Sequence, residues 1–124
     1  RFYERHYTKG DPKHFEPIVE GMWRGVNVGG TSTLARLDGW DVCGKTGTAE
    51  NPRGRDHSTF LSFAPKDNPK IAISVYVENG GFGASAALPI ASLLEEYYLT
   101  DTIRRPAMLE YVKNLNIYYP AYDK

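Results

Sequence analysis

The sequence predicts an α+β fold in which an antiparallel sheet is covered by helices. Three segments, 40–49, 58–64 and 71–78, carry the β-branched and aromatic residues that strands favour. Polar links rich in Pro, Gly, Asp and Asn separate them, and links this short join neighbouring antiparallel strands. The three segments therefore predict a meander, and alternating aromatic and charged residues in 1–8 predict a further N-terminal strand.

Two helices are predicted, one before and one after the meander. The first begins near Asp11 and Pro12, which suit a cap and a first turn, and ends at 29–30, a pair of glycines. Its apolar residues recur at helical spacing: Phe15, Ile18, Val19, Met22 and Val26. The second runs from about 85 to 99, and these residues are expected on its buried side: Leu88, Ala91, Leu93, Leu94 and Tyr97 or Tyr98.

The remaining segments carry shorter signals. The stretch "GGTSTLARLDG", residues 29–39, predicts a loop with one helical turn, and residues 105–113 predict a short helix. The charged pairs at 95–96 (Glu-Glu) and 104–105 (Arg-Arg) are expected to form a solvated face.

Composition narrows the classes of function. The chain has 124 residues, which suits one small domain, and its 15 basic and 15 acidic residues balance, which does not favour a nucleic-acid partner. No apolar run approaches the roughly 18 residues of a membrane span. No group of His, Cys and carboxylates has metal-ligand spacing, so neither a metal nor a cofactor is expected. The single cysteine, Cys43, is expected to be a small buried residue rather than a reactive thiol.

The stretch "GWDVCGKTGTAENPRG", residues 39–54, contains two signatures at once. Gly39 and Gly44-Lys45-Thr46 fit the phosphate-binding loop G-x-x-x-x-G-K-S/T. That loop needs a buried strand before it and a helix that begins at its Lys-Ser/Thr. The preceding "TSTLARLD" is not strand-like, and Pro52 and Gly54 would interrupt a helix after Thr46. A nucleotide-binding module is therefore the remote alternative.

The second signature, K-T-G at Lys45, Thr46 and Gly47, belongs to serine acyl-transfer enzymes. It requires a strand followed by a hairpin, which this sequence predicts. A strand edge supplies rigid backbone N–H groups for an oxyanion, a lysine supplies a cation, and threonine hydroxyls can bind a carboxylate. The glycine lets another element approach closely. An ideal strand sends Lys45 and Thr46 to opposite faces, so their convergence requires the long lysine stem to reach beneath the strand.

The surroundings of this motif strengthen the second interpretation. In order along the chain, six segments resemble the end of the transpeptidase domain of class B penicillin-binding proteins, and most of all the cell-elongation type, the penicillin-binding protein 2 group. The segments are "FEPIVEGMWRGVN", "GGTS", "CGKTGTAE", "DHSTFLSFAP", "YVENGGFG" and "AALPIASLLEEYYL". The resemblance covers roughly residues 15–99, and the tail from 100 to 124 matches less clearly.

The resemblance implies a serine D,D-transpeptidase that attacks the D-Ala-D-Ala end of peptidoglycan stem peptides and is acylated by β-lactams. Lys45 and Thr48 would be its catalytic residues here: Lys45 tunes the proton network and helps position the donor carboxylate, and the Thr48 N–H is one oxyanion-hole donor. Thr46, Gly47 and Thr48 would form the substrate-binding stretch, with the two threonines on the carboxylate. The family's nucleophile motif S-x-x-K and its second motif S-x-N occur nowhere in this sequence.

The missing motifs lead us to expect that residues 1–124 are the C-terminal part of a transpeptidase domain and are inactive alone. The resemblance implies a parent protein anchored in the bacterial inner membrane, with this domain on the periplasmic side. Its partners would be stem peptides, β-lactams and the cell-elongation machinery. A β-lactamase or a β-lactam-sensing receptor domain is the alternative within the same superfamily.

Two other places invite a functional interpretation. His57 precedes the second strand near Glu50 and Asp56, so it is either a base or, as this family uses no histidine base, a residue that orients the loop. Glu78 is followed by Asn79-Gly80-Gly81, and a tight glycine turn is expected there rather than a catalytic glutamate.

Overall fold

A computed structural model describes residue 4 and residues 6–117 of the chain. Its regular elements, in chain order, are α1 (Glu16–Asn27), β1 (Cys43–Ala49), β2 (His57–Ala64), β3 (Ile71–Val77), α2 (Ala87–Thr100) and α3 (Pro106–Lys113). Short 3₁₀ turns precede α1, at Pro12–His14, and follow it, at Thr33–Ala35. The strands form one antiparallel sheet in the order β1-β2-β3. The predicted meander and the α+β class are therefore confirmed.

Both long helices pack on the same face of the sheet. Val26 of α1, Phe60 of β2 and Leu88 of α2 are fully or almost fully buried in one apolar cluster. The buried residues of β2 alternate along the strand: Ser58, Phe60, Ser62 and Ala64. The opposite face is open, with Leu61 of β2 49% exposed and Tyr76 of β3 56% exposed. The sheet therefore has one packed face and one open face.

Polar contacts from α1 fix the start of β1. The Asn27 side chain donates to the Val42 carbonyl at 2.9 Å, and Trp23 Nε1 donates to Asp41 Oδ1 at 2.8 Å. Lys66, in the turn between β2 and β3, pairs with Glu20 of α1 at 2.6 Å. These contacts hold the helix over the strand that carries the K-T-G residues.

Two strand predictions differ from the structure. Residues 6–8 have no regular structure, and the rest of the predicted N-terminal strand falls largely outside the described residues; within the described part the sheet has three strands. The first strand begins at Cys43 instead of residue 40. Gly39 takes a left-handed φ of 82°, and the Trp40 N–H bonds the Leu37 carbonyl at 3.1 Å, so this segment forms a turn.

The helices lie close to the predicted segments, but α1 begins at Glu16 instead of near Pro12, where a 3₁₀ turn precedes it. The buried faces of the helices also differ from the prediction. Phe15 and Ile18 are 46% and 58% exposed, and only the C-terminal end of the α1 stripe, at Val26, is fully buried. On α2, three residues expected in the core are more than half exposed: Leu94, Tyr97 and Tyr98.

The charged face predicted at the end of α2 was wrong for three of its four residues. Glu95 is 0% exposed and Glu96 is 4% exposed. The Arg105 side chain is 22% exposed, whereas Arg104 is exposed as expected. The physical reason is an ion pair that the sequence pattern does not indicate: Arg105 Nε donates to Glu96 Oε2 at 3.1 Å. Arg105 also donates to the carbonyls of Leu34 and Ser92 at 3.0 and 2.9 Å.

Candidate active site

The four predicted site residues lie together on β1. Because β1 pairs only with β2 in the described sheet, it is an edge strand. Alternate backbone N–H and C=O groups of an edge strand face away from its neighbour and are free to bind an extended ligand. We call Lys45, Thr46, Gly47 and Thr48 the K-T-G edge. Lys45 and Thr48 are exposed, and Thr46 and Gly47 are partly exposed.

Lys45 and Thr46 leave the strand on opposite faces. Lys45 is in register with Leu61 on the open face, whereas Thr46 is in register with the buried Phe60. The lysine stem nevertheless folds back, and Lys45 Nζ donates to the Thr46 carbonyl at 2.5 Å. The ammonium therefore lies against the backbone of the residue whose hydroxyl points to the other side.

A second threonine hydroxyl lies beside Thr46. Thr31 Oγ1 and Thr46 Oγ1 are 3.1 Å apart. Thr31 follows the glycine pair after α1, and close glycine packing holds its loop: the Ser32 N–H bonds the Gly25 carbonyl at 3.1 Å, and a Cβ on Gly30 would lie 2.6 Å from Gly25 Cα. The sequence interpretation missed Thr31. The signal that would have found it is the "GGTS" segment, which contributed only to the family resemblance.

The Gly47 backbone has another chain segment packed against it. A Cβ on Gly47 would lie 2.4 Å from Thr59 Oγ1, and a Cβ on Gly83 would lie 2.6 Å from the carbonyl oxygens of both Gly47 and Thr59. A side chain at Gly83 would therefore meet fixed backbone, and one at Gly47 would displace the Thr59 hydroxyl. The close approach expected at Gly47 is present, and the approaching segment is the loop that leads into α2.

The phosphate-loop interpretation of residues 39–46 is wrong. No helix begins at Lys45 or Thr46, which lie inside β1, and a turn at 37–40 precedes them instead of a strand. A phosphate site needs the N–H groups and positive dipole end of a helix at this position. The described structure offers a strand edge there.

His57 orients the loops beside the K-T-G edge. Its Nδ1 accepts a hydrogen bond from the Asn79 N–H at 3.0 Å, and its ring packs on Tyr76 with centroids 5.4 Å apart. Asn79 takes a left-handed φ of 55° and accepts at its side chain from Asn51 at 3.0 Å. These contacts favour the loop-orienting role over a base. Asn79 lies inside the tight turn at the end of β3, in which the Gly80 N–H bonds the Val77 carbonyl at 3.1 Å.

The other chemically reactive groups do not form a second site. Cys43 is fully buried, and burial raises the pKa of its thiol to about 11, which disfavours the nucleophilic thiolate. Within residues 4 and 6–117, no group of three or more His, Cys, Asp and Glu side chains could hold a metal ion. Of the described helices, none is both long and apolar enough to span a membrane.

A family model of the penicillin-binding protein transpeptidase domain matches residues 5–94. The chain belongs to this family. The match includes the K-T-G edge and the loop that carries Thr31.

Curated relatives agree with this assignment. Peptidoglycan D,D-transpeptidase MrdA of Haemophilus influenzae is 36% identical over a match that covers 72% of this chain and 16% of the relative. MrdA of Acinetobacter baumannii is also 36% identical, with 62% and 14% covered. The chain therefore spans about a sixth of the length of these relatives.

Solved structures give the same result. Penicillin-binding protein A of M. tuberculosis, as its imipenem acyl-enzyme, matches with a TM-score of 0.62 and 28% identity over 77% of this chain and 21% of that one. Pseudomonas aeruginosa PBP2 in complex with WCK 5153 matches with a TM-score of 0.60 and 31% identity over 78% and 22%. The resemblance to the penicillin-binding protein 2 group is confirmed.

Proposed function

We propose that residues 1–124, including the tail from 100 to 124, form the K-T-G part of a serine D,D-transpeptidase that cross-links peptidoglycan. Membership of the transpeptidase family supports this, as do relatives named D,D-transpeptidases. The observation that carries the proposal is the geometry of the K-T-G edge. An ammonium and the Thr46 hydroxyl lie within one short stretch of the open edge strand β1, and the Thr31 hydroxyl of the preceding loop lies beside Thr46.

Each group has a task in acyl transfer. A serine elsewhere in the domain attacks the D-Ala-D-Ala carbonyl, the terminal D-Ala leaves, and an amine of a neighbouring stem peptide takes the acyl group. Thr46 and Thr48 bind the donor's terminal carboxylate, and the Lys45 ammonium stabilises that charge. The Thr48 N–H on the strand edge donates to the oxyanion. Thr31 fixes the orientation of the Thr46 hydroxyl, because the two oxygens are within hydrogen-bond distance.

The same site would react with β-lactams, which present a carboxylate and a strained carbonyl in place of the donor. The imipenem acyl-enzyme of a structural relative supports this part of the proposal. We further propose that the parent protein is anchored in the bacterial inner membrane, faces the periplasm and works with the cell-elongation machinery. The names of the relatives favour a transpeptidase over a β-lactamase or a β-lactam sensor.

Acylation by a fluorescent penicillin tests the proposal. In the full transpeptidase domain that contains this chain, Lys45→Ala is expected to slow acylation by about 10²–10³-fold, the scale on which an acyl-transfer site responds to the loss of one preorganised electrostatic contact. Lys70→Ala is the matched control, since Lys70 is an exposed lysine in the turn before β3. The isolated 124-residue chain is expected to remain unlabelled, because it has no S-x-x-K serine.

Two results would contradict the proposal. The first is acylation of the folded Lys45→Ala domain at the rate of the Lys70→Ala control. The second is a covalently labelled band at the mass of the isolated chain, which would place the nucleophile on an unexpected residue.

A further inference from the structure

Glu95 is a buried acid outside the proposed chemistry. It lies on the face of α2 that packs on the sheet, and its side chain is 0% exposed. Ser62 Oγ of β2 donates to Glu95 Oε2 at 3.1 Å, whereas Glu95 Oε1 has no hydrogen-bond partner among the described residues. One hydrogen bond leaves an ionised carboxylate at this depth poorly compensated for the loss of water, whereas the neutral acid carries no net charge. The surroundings therefore fit the neutral acid.

No cation contacts Glu95 directly in the described structure. Arg105 acts on it only through space, because the guanidinium nitrogens of Arg105 donate to Glu96 and to the carbonyls of Leu34 and Ser92. The other titratable group that interacts with Glu95 is Cys43 of β1, itself buried. Burial raises the pKa of the Glu95 carboxyl to about 7, and the opposing effects of Ser62 and Arg105 do not offset it.

We propose that Glu95 is a proton-binding group built into the contact between α2 and the sheet, so that the chain takes up a proton there as it folds and loosens that contact when the proton is lost. Because Ser62 is the register partner of Gly44, the residue before Lys45, the change reaches the strand that carries the K-T-G edge. The direction of the pH dependence is set by the folded and unfolded states. The carboxyl has a pKa of about 7 in the folded chain and near 4.5 in the unfolded chain, so stability falls as pH rises from about 4.5 through 7.

Urea unfolding of the chain from pH 4.5 to 7.5 tests this proposal. Glu95 is expected to change the unfolding constant by on the order of 10²-fold across that range, with the folded chain favoured at the acidic end. In Glu95→Gln, a neutral isostere, this component of the pH dependence should be lost. Glu78→Gln is the matched control, since Glu78 is exposed, and it should keep the pH dependence of the unmodified chain. All groups other than Glu95 and Glu78 are common to the three chains, so their contributions cancel in the comparison.

A second measurement keeps the test decisive if Glu95→Gln does not fold. Carbon-13 NMR of glutamate carboxyls in the unmodified chain should show one group that titrates near pH 7. Ser62→Ala should move that titration to higher pH, because it removes the hydrogen bond that favours the charged form. The proposal is overturned if the Glu95→Gln and Glu78→Gln profiles coincide, or if no glutamate carboxyl titrates near pH 7.

Discussion

The K-T-G edge and the end of α2 place charged side chains in opposite settings. At the K-T-G edge, Lys45 is exposed, and among the described residues its ammonium bonds only the neighbouring Thr46 carbonyl. At the end of α2, Glu95 and Glu96 are 0% and 4% exposed, although they are adjacent acids. The Lys45 ammonium is available to a ligand, whereas the two acidic side chains are surrounded by the fold. Under the proposed function, exposure rather than charge itself separates a group that binds the ligand from groups that act on stability.

Arg105 connects separate parts of the structure at the end of α2. It joins Glu96 and Ser92 of α2 to Leu34, which lies in the turn that follows the Thr31 loop. One guanidinium therefore ties a helix, the segment before α3 and the loop beside the K-T-G edge. Three fixed acceptors of this kind suit a planar guanidinium, because its N–H groups point in set directions.

Breaking this contact should have the largest effect on stability. Arg105→Leu leaves the Glu96 carboxylate buried without its cation, and removing one partner of a buried pair costs about 3–5 kcal/mol. Because the Arg105 side chain is 22% exposed, we expect a loss of about 3 kcal/mol in the free energy of unfolding, measured with urea at pH 7. Arg104→Leu is the matched control, since Arg104 is exposed and only its backbone N–H bonds Glu96. Equal losses in the two variants would contradict a specific role for the Arg105 guanidinium.

Crowding the β1–β2 pair should have the next largest effect. In Gly83→Ala the new methyl group would lie 2.6 Å from two backbone oxygens, which cannot move independently, so overpacking should cost about 3 kcal/mol or slightly less. In Gly47→Ala it would lie 2.4 Å from the Thr59 hydroxyl, which can rotate away. The Gly47 variant should therefore lose less, about 1 kcal/mol.

A double-mutant cycle separates these two causes. Thr59→Ala removes the one atom of the described residues that would lie within 3 Å of a Cβ on Gly47, so it should restore most of the stability that Gly47→Ala loses. Thr59→Ala should not restore the stability of Gly83→Ala, because the new methyl group there would collide with backbone oxygens. Additive effects of Gly47→Ala and Thr59→Ala would show that the crowding at the K-T-G edge has another origin.

Much of the fold was predictable because its signals are local. The alternation in β2 and the polar turns on either side of it specify a meander without reference to distant residues. The K-T-G residues were predictable because one strand carries all four of them. The start of β1 was placed too early, because Trp40 and Asp41 carry no signal of the turn that Gly39 imposes.

The missed features depend on contacts between residues that are distant in sequence. Thr31 and Thr46 are 15 positions apart and meet only because α1 packs over β1. Glu96 and Arg105 are nine positions apart, and they meet after the chain turns at Asp101, which takes a left-handed φ of 54°. Two adjacent acidic residues normally indicate a solvent-exposed position, so no local pattern predicts that Glu95 and Glu96 are buried.

The smallest effects on stability are expected at the K-T-G edge and at Thr31 beside it. Lys45→Ala removes an exposed side chain, and Thr31→Val removes one exposed hydroxyl contact, so each should change the free energy of unfolding by no more than about 0.5 kcal/mol. The same urea titration as for Arg105→Leu measures this.

A small change in the free energy of unfolding at Lys45 is as informative as the large change expected at Arg105. If Lys45→Ala slows acylation of the full domain while the isolated chain unfolds at an unchanged urea concentration, the lysine acts on the ligand and not on the fold. If Lys45→Ala or Thr31→Val lowers the free energy of unfolding by more than about 1 kcal/mol, these side chains are part of the folding core. The contrast between an available charge and a buried one would then not hold for this chain.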